Sequence, residues 1–212
     1  MPDCQLYLIS PLDVSGAFPQ RLERALEASG RGGPVAAFQF RVKGIDQHEA
    51  ARLAEPLLEI CRARDVAFIV NDSIALAKRL GADGVHLGQH DGEVREAREE
   101  LGREAQIGVT CHASRHLAIE AGDSGADYVA FGAFFPSPTK PSEHRPELEL
   151  LEWWSGLMEI PCVAIGGITP ENCAPLVAAG ADFLAVSSAV WQHPGEEGAR
   201  VAAFGGLLGR QS

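Results

Sequence analysis

The chain has 212 residues, with 18 lysines and arginines against 29 aspartates and glutamates, which gives a formal charge of −11. This acidic balance argues against nucleic acid or an anionic membrane as a partner, since both need a clustered basic face. A small anionic substrate is compatible with it, provided that a few cations are concentrated where that substrate binds. The length and the 46% of hydrophobic residues predict a single domain over residues 1–212 with a substantial core.

The cysteines and the first residues bear on the cellular compartment. Five cysteines, an odd number, form no C-x-x-C pair, so reduced thiols are the simplest interpretation. The sequence does not start with a basic segment followed by an apolar one, and no apolar run has the length of a membrane span. We expect a cytoplasmic protein. The sequence leaves the oligomeric state open.

Short β-rich apolar runs alternate with longer segments of helical periodicity. Strands are predicted at Gln5–Ser10, Val35–Phe40, Ala67–Asn71, Gly84–Leu87, Gln106–Thr110, Tyr128–Gly132, Cys162–Gly166 and Phe183–Ser187. Helices are predicted at Gln47–Ala63, Ser73–Leu80, Glu93–Gly102, Arg115–Ala121, Glu149–Met158 and Pro170–Ala179. Thr169 before Pro170 suggests an N-cap followed by proline at the first helical position. Glycines stand where a left-handed residue ends a helix, at positions Gly81, Gly102, Gly125 and Gly180.

This alternation predicts an α/β fold, a single-domain (β/α)8 TIM barrel of eight strands that are each followed by a helix. Almost continuously apolar strands, such as the Phe68-Ile-Val70 run, suit a sheet that is covered on both faces. An open doubly wound sheet is the alternative, but the many polar segments at strand ends favour closure. In such a barrel the active site lies at the C-terminal ends of the strands.

Cations follow the second predicted strand. Alternation places Gln39, Arg41 and Lys43 on one side of the chain, so an amide, a guanidinium and an ammonium group can converge. Arginine binds two phosphate oxygens as a fork, and lysine adds a compact charge. An ordinary solvated strand end is the alternative for this segment taken alone.

Carboxylates follow the third and fourth predicted strands. Asp72 comes directly after Asn71, and Asp91 follows the strand that contains His86. Two carboxylates together with phosphate oxygens and waters make a Mg²⁺ site. Each aspartate could instead cap the helix that comes after it. His86 fits a buried, hydrogen-bonded histidine, and we assign no acid–base role to the other histidines near strand ends.

Oxyanion-binding groups follow the later strands. Thr110 ends the fifth strand with a hydroxyl, and a proline-rich loop after the sixth strand contains Ser137, Thr139 and Lys140. An ordinary surface turn is the alternative for that loop. Glycines after the seventh strand and backbone amides after the eighth form the usual phosphate site of such barrels. No P-loop or nucleophile-elbow motif is present in the sequence.

The set of strand-end motifs, in this order, resembles the thiamine phosphate synthase family over nearly the entire chain. The motifs that carry the resemblance are Gln39-Phe-Arg-Val-Lys43, Asn71-Asp72, Ala82-Asp-Gly-Val-His-Leu-Gly-Gln89 with Asp91, Gly108-Val-Thr110, Ala126-Asp-Tyr128, Phe135-Pro-Ser-Pro-Thr-Lys140, Val163-Ala-Ile-Gly-Gly-Ile168 and Ser187-Ser188.

The resemblance implies a transferase of thiamine biosynthesis that joins a hydroxymethylpyrimidine diphosphate to a hydroxyethylthiazole phosphate and releases diphosphate. It also implies Mg²⁺, bound by Asp72 and Asp91, and a dissociative, carbocation-like step without an enzymic nucleophile. Arg41, Lys43 and Lys140 would be the catalytic cations. The pyrimidine diphosphate would be bound by Gln39, Arg41, Lys43, Asn71, Thr110 and Lys140. The thiazole phosphate would be bound by Ser137, Pro138, Thr139, Gly167, Ser187 and Ser188.

Three residues depart from the family pattern. Thr110 stands where the family more often has serine, and Ser137 where it more often has threonine. Both keep a hydroxyl, so we expect binding to be retained. His90 occupies a position that is more often acidic, next to Asp91, and its effect on metal affinity is left open.

Three other functions fit the same fold. Another phosphate-binding barrel, such as a sugar-phosphate epimerase, would not explain the Gln39-Phe-Arg-Val-Lys43 motif. A thiazole tautomerase-like relative would have a histidine after the glycine of the sixth strand, but here Ala133 follows Gly132. A non-catalytic regulator of the thiamine pathway would be marked by the loss of a metal carboxylate, of Arg41 or of Lys140. None of these residues is lost.

Overall fold

Eight parallel strands close into a barrel in which each strand pairs with its neighbours in chain order. The structure is a computed structural model that describes residues 4–27, 33–136 and 145–208. The strands are β1 Gln5–Ile9, β2 Val35–Phe40, β3 Ala67–Asn71, β4 Gly84–Leu87, β5 Gln106–His112, β6 Tyr128–Gly132, β7 Cys162–Ile165 and β8 Phe183–Val186. Because β1 pairs with both β2 and β8, the predicted (β/α)8 barrel is confirmed and the open sheet is excluded.

Helices alternate with the strands and cover the outside of the barrel. They are α1 Phe18–Glu27, α2 Gln47–Ala63, α3 Ile74–Leu80, α4 Val94–Leu101, α5 Arg115–Asp123, α6 Leu148–Leu157, α7 Ala174–Ala178, α8 Ser188–Trp191 and α9 Glu197–Gly205. The predicted bounds of α2 are confirmed. Asp46 caps the first turn of this helix by accepting from the His48 and Glu49 amides at 2.8 and 3.0 Å. Within the described residues, no helix is both long and apolar enough to cross a bilayer.

The predicted start of the seventh helix is wrong. Helix α7 begins at Ala174 rather than at Pro170. The preceding segment is a turn that the side chain of Asn172 organises, since its Oδ1 accepts from the Thr169 amide at 2.8 Å and its Nδ2 donates to the Gly167 carbonyl at 3.0 Å. An asparagine that bonds to its local backbone in this way competes with helix formation.

Strand β5 runs two residues beyond its predicted end at Thr110. The pairing with β6 shifts register between Thr110 and His112, which are opposite Ala130 and Phe131. The intervening residue, Cys111, is therefore a bulge, which the sequence pattern did not predict. All five cysteines lie in the described part of the chain, are buried and form no disulfide, as expected.

The core has two parts. The larger part lies between the strands and the helices and contains the fully buried rings of Phe38, Phe68 and Trp154. The smaller part includes Tyr7 and Tyr128 and fills the inside of the barrel with the side chains of Ala37, Ile69, Ala130, Val163 and Ala185. Because several of these residues are alanines, the inside is incompletely filled toward the C-terminal ends of the strands, where a cavity opens.

A Gly-Ala-Asp tripeptide occurs three times, directly before β4, β6 and β8. The tripeptides begin at Gly81, Gly125 and Gly180, whose φ angles of +60°, +95° and +100° confirm the predicted glycine helix ends. The three aspartates act alike, since each accepts a hydrogen bond from a backbone N–H of the preceding strand. The pairs are Asp83 with Phe68 at 2.7 Å, Asp127 with Ile107 at 2.6 Å and Asp182 with Cys162 at 2.9 Å. This repeat fixes three strand pairs at the N-terminal end of the barrel.

Candidate active site

A cavity of about 590 Å³ opens at the C-terminal ends of the strands, a volume in the range of small-molecule sites. The structure brings ten of the fourteen predicted site residues to its wall. They are Gln39, Arg41, Lys43, Asn71, Asp72, Asp91, Thr110, Gly167, Ser187 and Ser188. The other four predicted residues, Ser137, Pro138, Thr139 and Lys140, lie outside the described residues.

Two carboxylates meet at one side of the cavity. Asp72 and Asp91 are close enough to share a hydrogen bond, and the Lys43 ammonium lies 3.7 Å from Asp72 Oδ2. Burial and the neighbouring Asp91 raise the pKa of Asp72, although Lys43 and Arg41 partly oppose the shift. The pair therefore carries a repulsion that a bound cation would relieve.

Neither aspartate caps the helix that comes after it. Ser73 is the N-cap of α3 and accepts from the Leu76 amide at 3.2 Å, whereas Asp72 has a φ of +66° and lies outside the helix. Asp91 instead accepts from the Gly88 amide at 3.0 Å. The capping alternative is thus wrong for both residues, and both carboxylates face the cavity.

The donor set suits a hard divalent cation with an open coordination sphere. Carboxylate oxygens are the protein ligands that Mg²⁺ prefers, and Mg²⁺ usually keeps waters or substrate phosphate oxygens as its other ligands. Among the described residues, no group of three or more His, Cys, Asp or Glu side chains forms a closed metal cage. Asp72 and Asp91 therefore fit Mg²⁺ only with further oxygen atoms from a ligand or from water.

Ser10 fixes the position of Arg41 beside the carboxylates. The Ser10 hydroxyl accepts from the Arg41 amide at 2.9 Å and donates to the Arg41 carbonyl at 3.1 Å. Ser10 is itself 2% exposed, and its amide donates to the Gln39 carbonyl at 2.9 Å. The pairing of β1 with β2 thus continues past the strand ends and places the cations of this segment at the cavity.

A chain of hydrogen-bonded side chains crosses the inside of the barrel beneath the cavity. Gln39 Nε2 donates to the Tyr7 hydroxyl at 3.1 Å, which lies 2.8 Å from the Tyr128 hydroxyl. His86 continues the chain, with Nδ1 3.1 Å from Tyr128 and Nε2 2.8 Å from the Thr110 hydroxyl. The floor of the cavity is therefore polar, with each of these buried groups already hydrogen-bonded.

Burial keeps this floor neutral. It lowers the pKa of His86 to about 4, although Asp91 acts in the opposite direction, and it raises the pKa of Tyr7 and of Tyr128. At physiological pH the imidazole and both phenols are uncharged. The prediction of His86 as a buried, hydrogen-bonded histidine is confirmed.

The glycines after β7 are required by close packing against the end of β6. Gly167 has a φ of +62°, and a Cβ atom there would overlap the Pro136 carbonyl and the Phe135 side chain. The two segments are joined by hydrogen bonds of 3.0 Å, from the Phe134 amide to the Ile165 carbonyl and from the Phe135 amide to the Gly166 carbonyl. The bare backbone therefore forms this part of the cavity wall.

Helix α8 is a single turn directly after β8. Ser187 is its N-cap and Ser188 its first residue, and both line the cavity. The regular helix of the last βα unit, α9, follows after a short connection. Loops after the last two strands together with a short extra helix form the usual phosphate site of this fold.

Sequence reasoning missed several cavity residues, of which the two tyrosines are the main ones. Tyr7 and Tyr128 are the only tyrosines of the chain and lie inside apolar strands. A phenol in such a strand needs a buried partner, which was the available signal. Gly108 was a second signal, because a glycine inside a strand often marks a close approach. In the structure, a Cβ atom at this position would overlap the Tyr128 ring.

The comparisons with known proteins identify a family. A family model described as thiamine monophosphate synthase matches residues 6–190. The chain belongs to the thiamine monophosphate synthase family. It is 78% identical over 202 residues to the thiamine-phosphate synthase of Erythrobacter litoralis, covering 94% of this chain and 93% of that relative. It is 52% identical over 208 residues to that of Rhodospirillum centenum, covering 98% and 99% of the two chains.

A solved structure supports the same family. The thiamine phosphate pyrophosphorylase of Pyrococcus furiosus superposes with a TM-score of 0.83 at 29% identity, covering 96% of this chain and 95% of that one. The protein is thus a transferase of the thiamine monophosphate synthase family, acts in thiamine biosynthesis and takes small-molecule substrates. The family assignment of the sequence analysis is confirmed.

Proposed function

We propose that this member of the thiamine monophosphate synthase family joins 4-amino-2-methyl-5-hydroxymethylpyrimidine diphosphate to 4-methyl-5-(2-hydroxyethyl)thiazole phosphate in a Mg²⁺-dependent, dissociative reaction. The observation that carries the proposal is the carboxylate pair of Asp72 and Asp91 beside the cations of Arg41 and Lys43. The products are thiamine phosphate and diphosphate. The Mg²⁺ ion, these substrates and the roles of the site residues all belong to the proposal.

The diphosphate is assigned to the side of the cavity that contains the cations. Arg41 forks onto phosphate oxygens and Lys43 neutralises charge beside Asp72. Asn71, Thr110 and Gln39 supply hydrogen bonds to the same substrate, and Lys140 adds a third cation. A bound Mg²⁺ would neutralise charge on the diphosphate as it leaves, held by Asp72 and Asp91.

The dissociative step follows from the distribution of charge. Diphosphate leaves with about three negative charges, and their stabilisation by fixed cations is the main electrostatic task. The aminopyrimidine is electron-rich and supports positive charge at its methylene carbon, so the bond to the diphosphate oxygen breaks first. The thiazole nitrogen then forms the new bond to that carbon. In the neutral floor beneath the cavity, His86 and Tyr128 are hydrogen-bonded and supply no charged nucleophile. The dissociative step requires none.

The thiazole phosphate is assigned to the opposite wall. Ser187 and Ser188 follow β8, Gly167 follows the neighbouring strand β7, and all three line the cavity. Ser137, Pro138 and Thr139 complete this part of the site in the proposal. The two substrates thus approach from the two sides of one cavity.

The test supplies both substrates with Mg²⁺ to the purified protein and measures thiamine phosphate and diphosphate. We expect the two products in equal amounts, and no product when the metal is chelated or either substrate is left out. Folded protein that binds only one substrate and forms no product would contradict the proposed function. Product formation that is unchanged by chelation would contradict the metal.

A matched pair of lysines tests the cationic site. Lys140→Ala should lower kcat/KM by about 10²-fold, the loss expected for one group that stabilises developing charge. Lys78→Ala is the control, because Lys78 pairs with Glu100 on the helical surface with a side chain 60% exposed. Its removal should leave turnover unchanged, and equal losses in the two variants would remove Lys140 from the site.

A further inference from the structure

Helix α8 is held from the side that faces away from the cavity. It contains only four residues, too few to be stable alone, so its position depends on tertiary contacts. Arg21 on α1 donates to the carbonyl of Trp191, the last residue of α8. Arg200 Nε on α9 donates to the Ala189 carbonyl at 2.9 Å. Two cations from two other helices thus bind the C-terminal end of this turn, where the helix dipole favours them.

A fully buried carboxylate holds one of these arginines. Glu197 Oε1 accepts from Arg21 Nε at 2.5 Å, and Glu197 Oε2 accepts from Arg24 Nε at 3.0 Å and from the Gly195 amide at 3.1 Å. Glu197 is 0% exposed and Arg21 is 19% exposed. Arg21 therefore bridges the buried carboxylate of Glu197 and the C-terminal end of α8, with one donor to each.

The indole of Trp191 ties the same turn to the end of β1. Its Nε1 donates to the Ile9 carbonyl at 2.6 Å, and its ring packs edge-on against Phe18, with centroids 5.0 Å apart. Ile9 lines the cavity, whereas Trp191 does not. The contact between Trp191 and the cavity wall is thus made through the backbone carbonyl of Ile9, and the indole itself stays outside the cavity.

We propose that Arg21, Glu197 and Arg200 are positioning residues that set the place of Ser187 and Ser188 in the cavity wall. None of the three is among the described residues that line the cavity. The inference rests on the proposed function in one respect, the assignment of the two serines to the thiazole phosphate. Disturbing the outer contacts should therefore weaken the binding of this substrate and leave the binding of the pyrimidine diphosphate unchanged.

Two arginines on α1 form a matched pair for the test. Arg21 and Arg24 both bind Glu197, but only Arg21 also donates to α8. Methionine keeps much of the apolar stem and removes the donors. Arg21→Met should raise the KM for the thiazole phosphate about tenfold and leave the KM for the diphosphate substrate within about twofold, since small displacements of a binding group have large effects. Arg24→Met should change neither constant.

Arg200→Met is the second variant and keeps the test decisive if Arg21→Met fails to fold. Arg200 donates to α8 without taking part in the ion pairs of Glu197. It should give the same selective rise in the KM for the thiazole phosphate. A merely structural role would lower the melting temperature and the active fraction in all three variants without separating the two KM values.

Hydrogen exchange gives a readout that does not depend on the reaction. The amides of Val190 and Trp191 donate to the Ser187 carbonyl at 3.0 and 2.9 Å, so their protection reports whether α8 is formed. Exchange at these amides should be about tenfold faster in Arg21→Met and Arg200→Met than in Arg24→Met. Equal exchange in the three variants, or equal KM values in active enzyme, would overturn the positioning role. If the wild-type protein makes no thiamine phosphate, the proposed function fails, and the exchange rates still decide the inference.

Discussion

Aspartates at the two ends of the barrel have opposite surroundings. At the N-terminal end, Asp83, Asp127 and Asp182 each accept a hydrogen bond from a strand amide of the protein itself. At the C-terminal end, Asp72 and Asp91 meet at one side of the cavity. Burial raises the pKa of Asp72, and the nearby Asp91 raises it further. Aspartate thus stabilises the fold at the N-terminal end, whereas Asp72 at the C-terminal end is held at a cost in stability.

This difference shows how the two ends divide their tasks. A carboxylate that accepts from the backbone lowers the free energy of the folded state, because a buried donor would otherwise lose its partner. A carboxylate held close to another one is kept at a cost in stability, which is typical of functional sites. Substitutions at the two ends should therefore change different properties.

The largest effect is expected for the cavity pair. Asp72→Asn should lower kcat/KM about 10³-fold if this carboxylate holds the metal that stabilises the leaving group. Its stability at neutral pH should equal or exceed that of the wild type. Since the folded pKa of Asp72 is raised, its ionised form costs stability above that pKa, and the amide removes this cost. Steady-state kinetics and urea denaturation without Mg²⁺ measure the two quantities.

Asp91→Asn is the companion variant, and it should show the same loss of activity. It also loses the acceptor of the Gly88 amide, so its gain in stability should be smaller than that of Asp72→Asn. Full activity in either variant would mean that the pair does not bind the metal. A large loss of stability in Asp72→Asn would contradict the contrast between the two ends.

The sequence predicted the barrel well because its signals are local. All eight strands lie where apolar runs were bounded by glycine or polar residues, and the Gly-Ala-Asp tripeptides recur at Gly81, Gly125 and Gly180. Two of the differences lie at the ends of elements. Asn172 replaces the first turn of the predicted α7, and the bulge at Cys111 extends β5.

The candidate site was predicted less completely than the fold. The motifs identified residues at strand ends, and those within the described residues line one cavity. Contacts between residues far apart in sequence were not predictable from local patterns. Tyr7 and Tyr128 are 121 positions apart, and Arg21 and Glu197 are 176 apart. Such pairs depend on closure of the barrel, which single residues do not encode.

The next effect concerns Glu197, a buried carboxylate that the protein satisfies with its own donors. Glu197→Gln should lower the free energy of unfolding by about 3 kcal/mol at neutral pH, since it leaves arginine charge unpaired. Burial raises the pKa of Glu197, but its arginine and backbone partners lower it to about 2. Its contribution to stability is therefore complete above the ordinary glutamate pKa of 4.5 and is lost as the pH falls toward 2. Denaturation at a series of pH values should show the two proteins converging in acid, and a constant difference would contradict the ion pairs.

A smaller effect is expected at the N-terminal end. Asp127→Ala removes the acceptor of the Ile107 amide and the partner of Arg98, both at 2.6 Å. The free energy of unfolding should fall by about 2 kcal/mol, which corresponds to about 4–8 °C in melting temperature. The kcat of the folded fraction should stay unchanged, since Asp127 does not line the cavity. Reduced kcat at full stability would show that the two ends are not separate.

The smallest effect is expected for Asp83→Ala, which removes the same backbone acceptor without an ion pair. Asp83 accepts from the Phe68 amide at 2.7 Å, and no arginine or lysine of the described residues forms a salt bridge with it. Asp83 is also exposed, so water can replace part of the hydrogen bond that the variant loses. We expect a loss of about 1 kcal/mol with unchanged kinetics. Urea denaturation of both variants, and of the double variant, gives the comparison. If the loss at Asp83 equals that at Asp127, Arg98 adds nothing and the backbone acceptor alone accounts for the stabilising role of these aspartates.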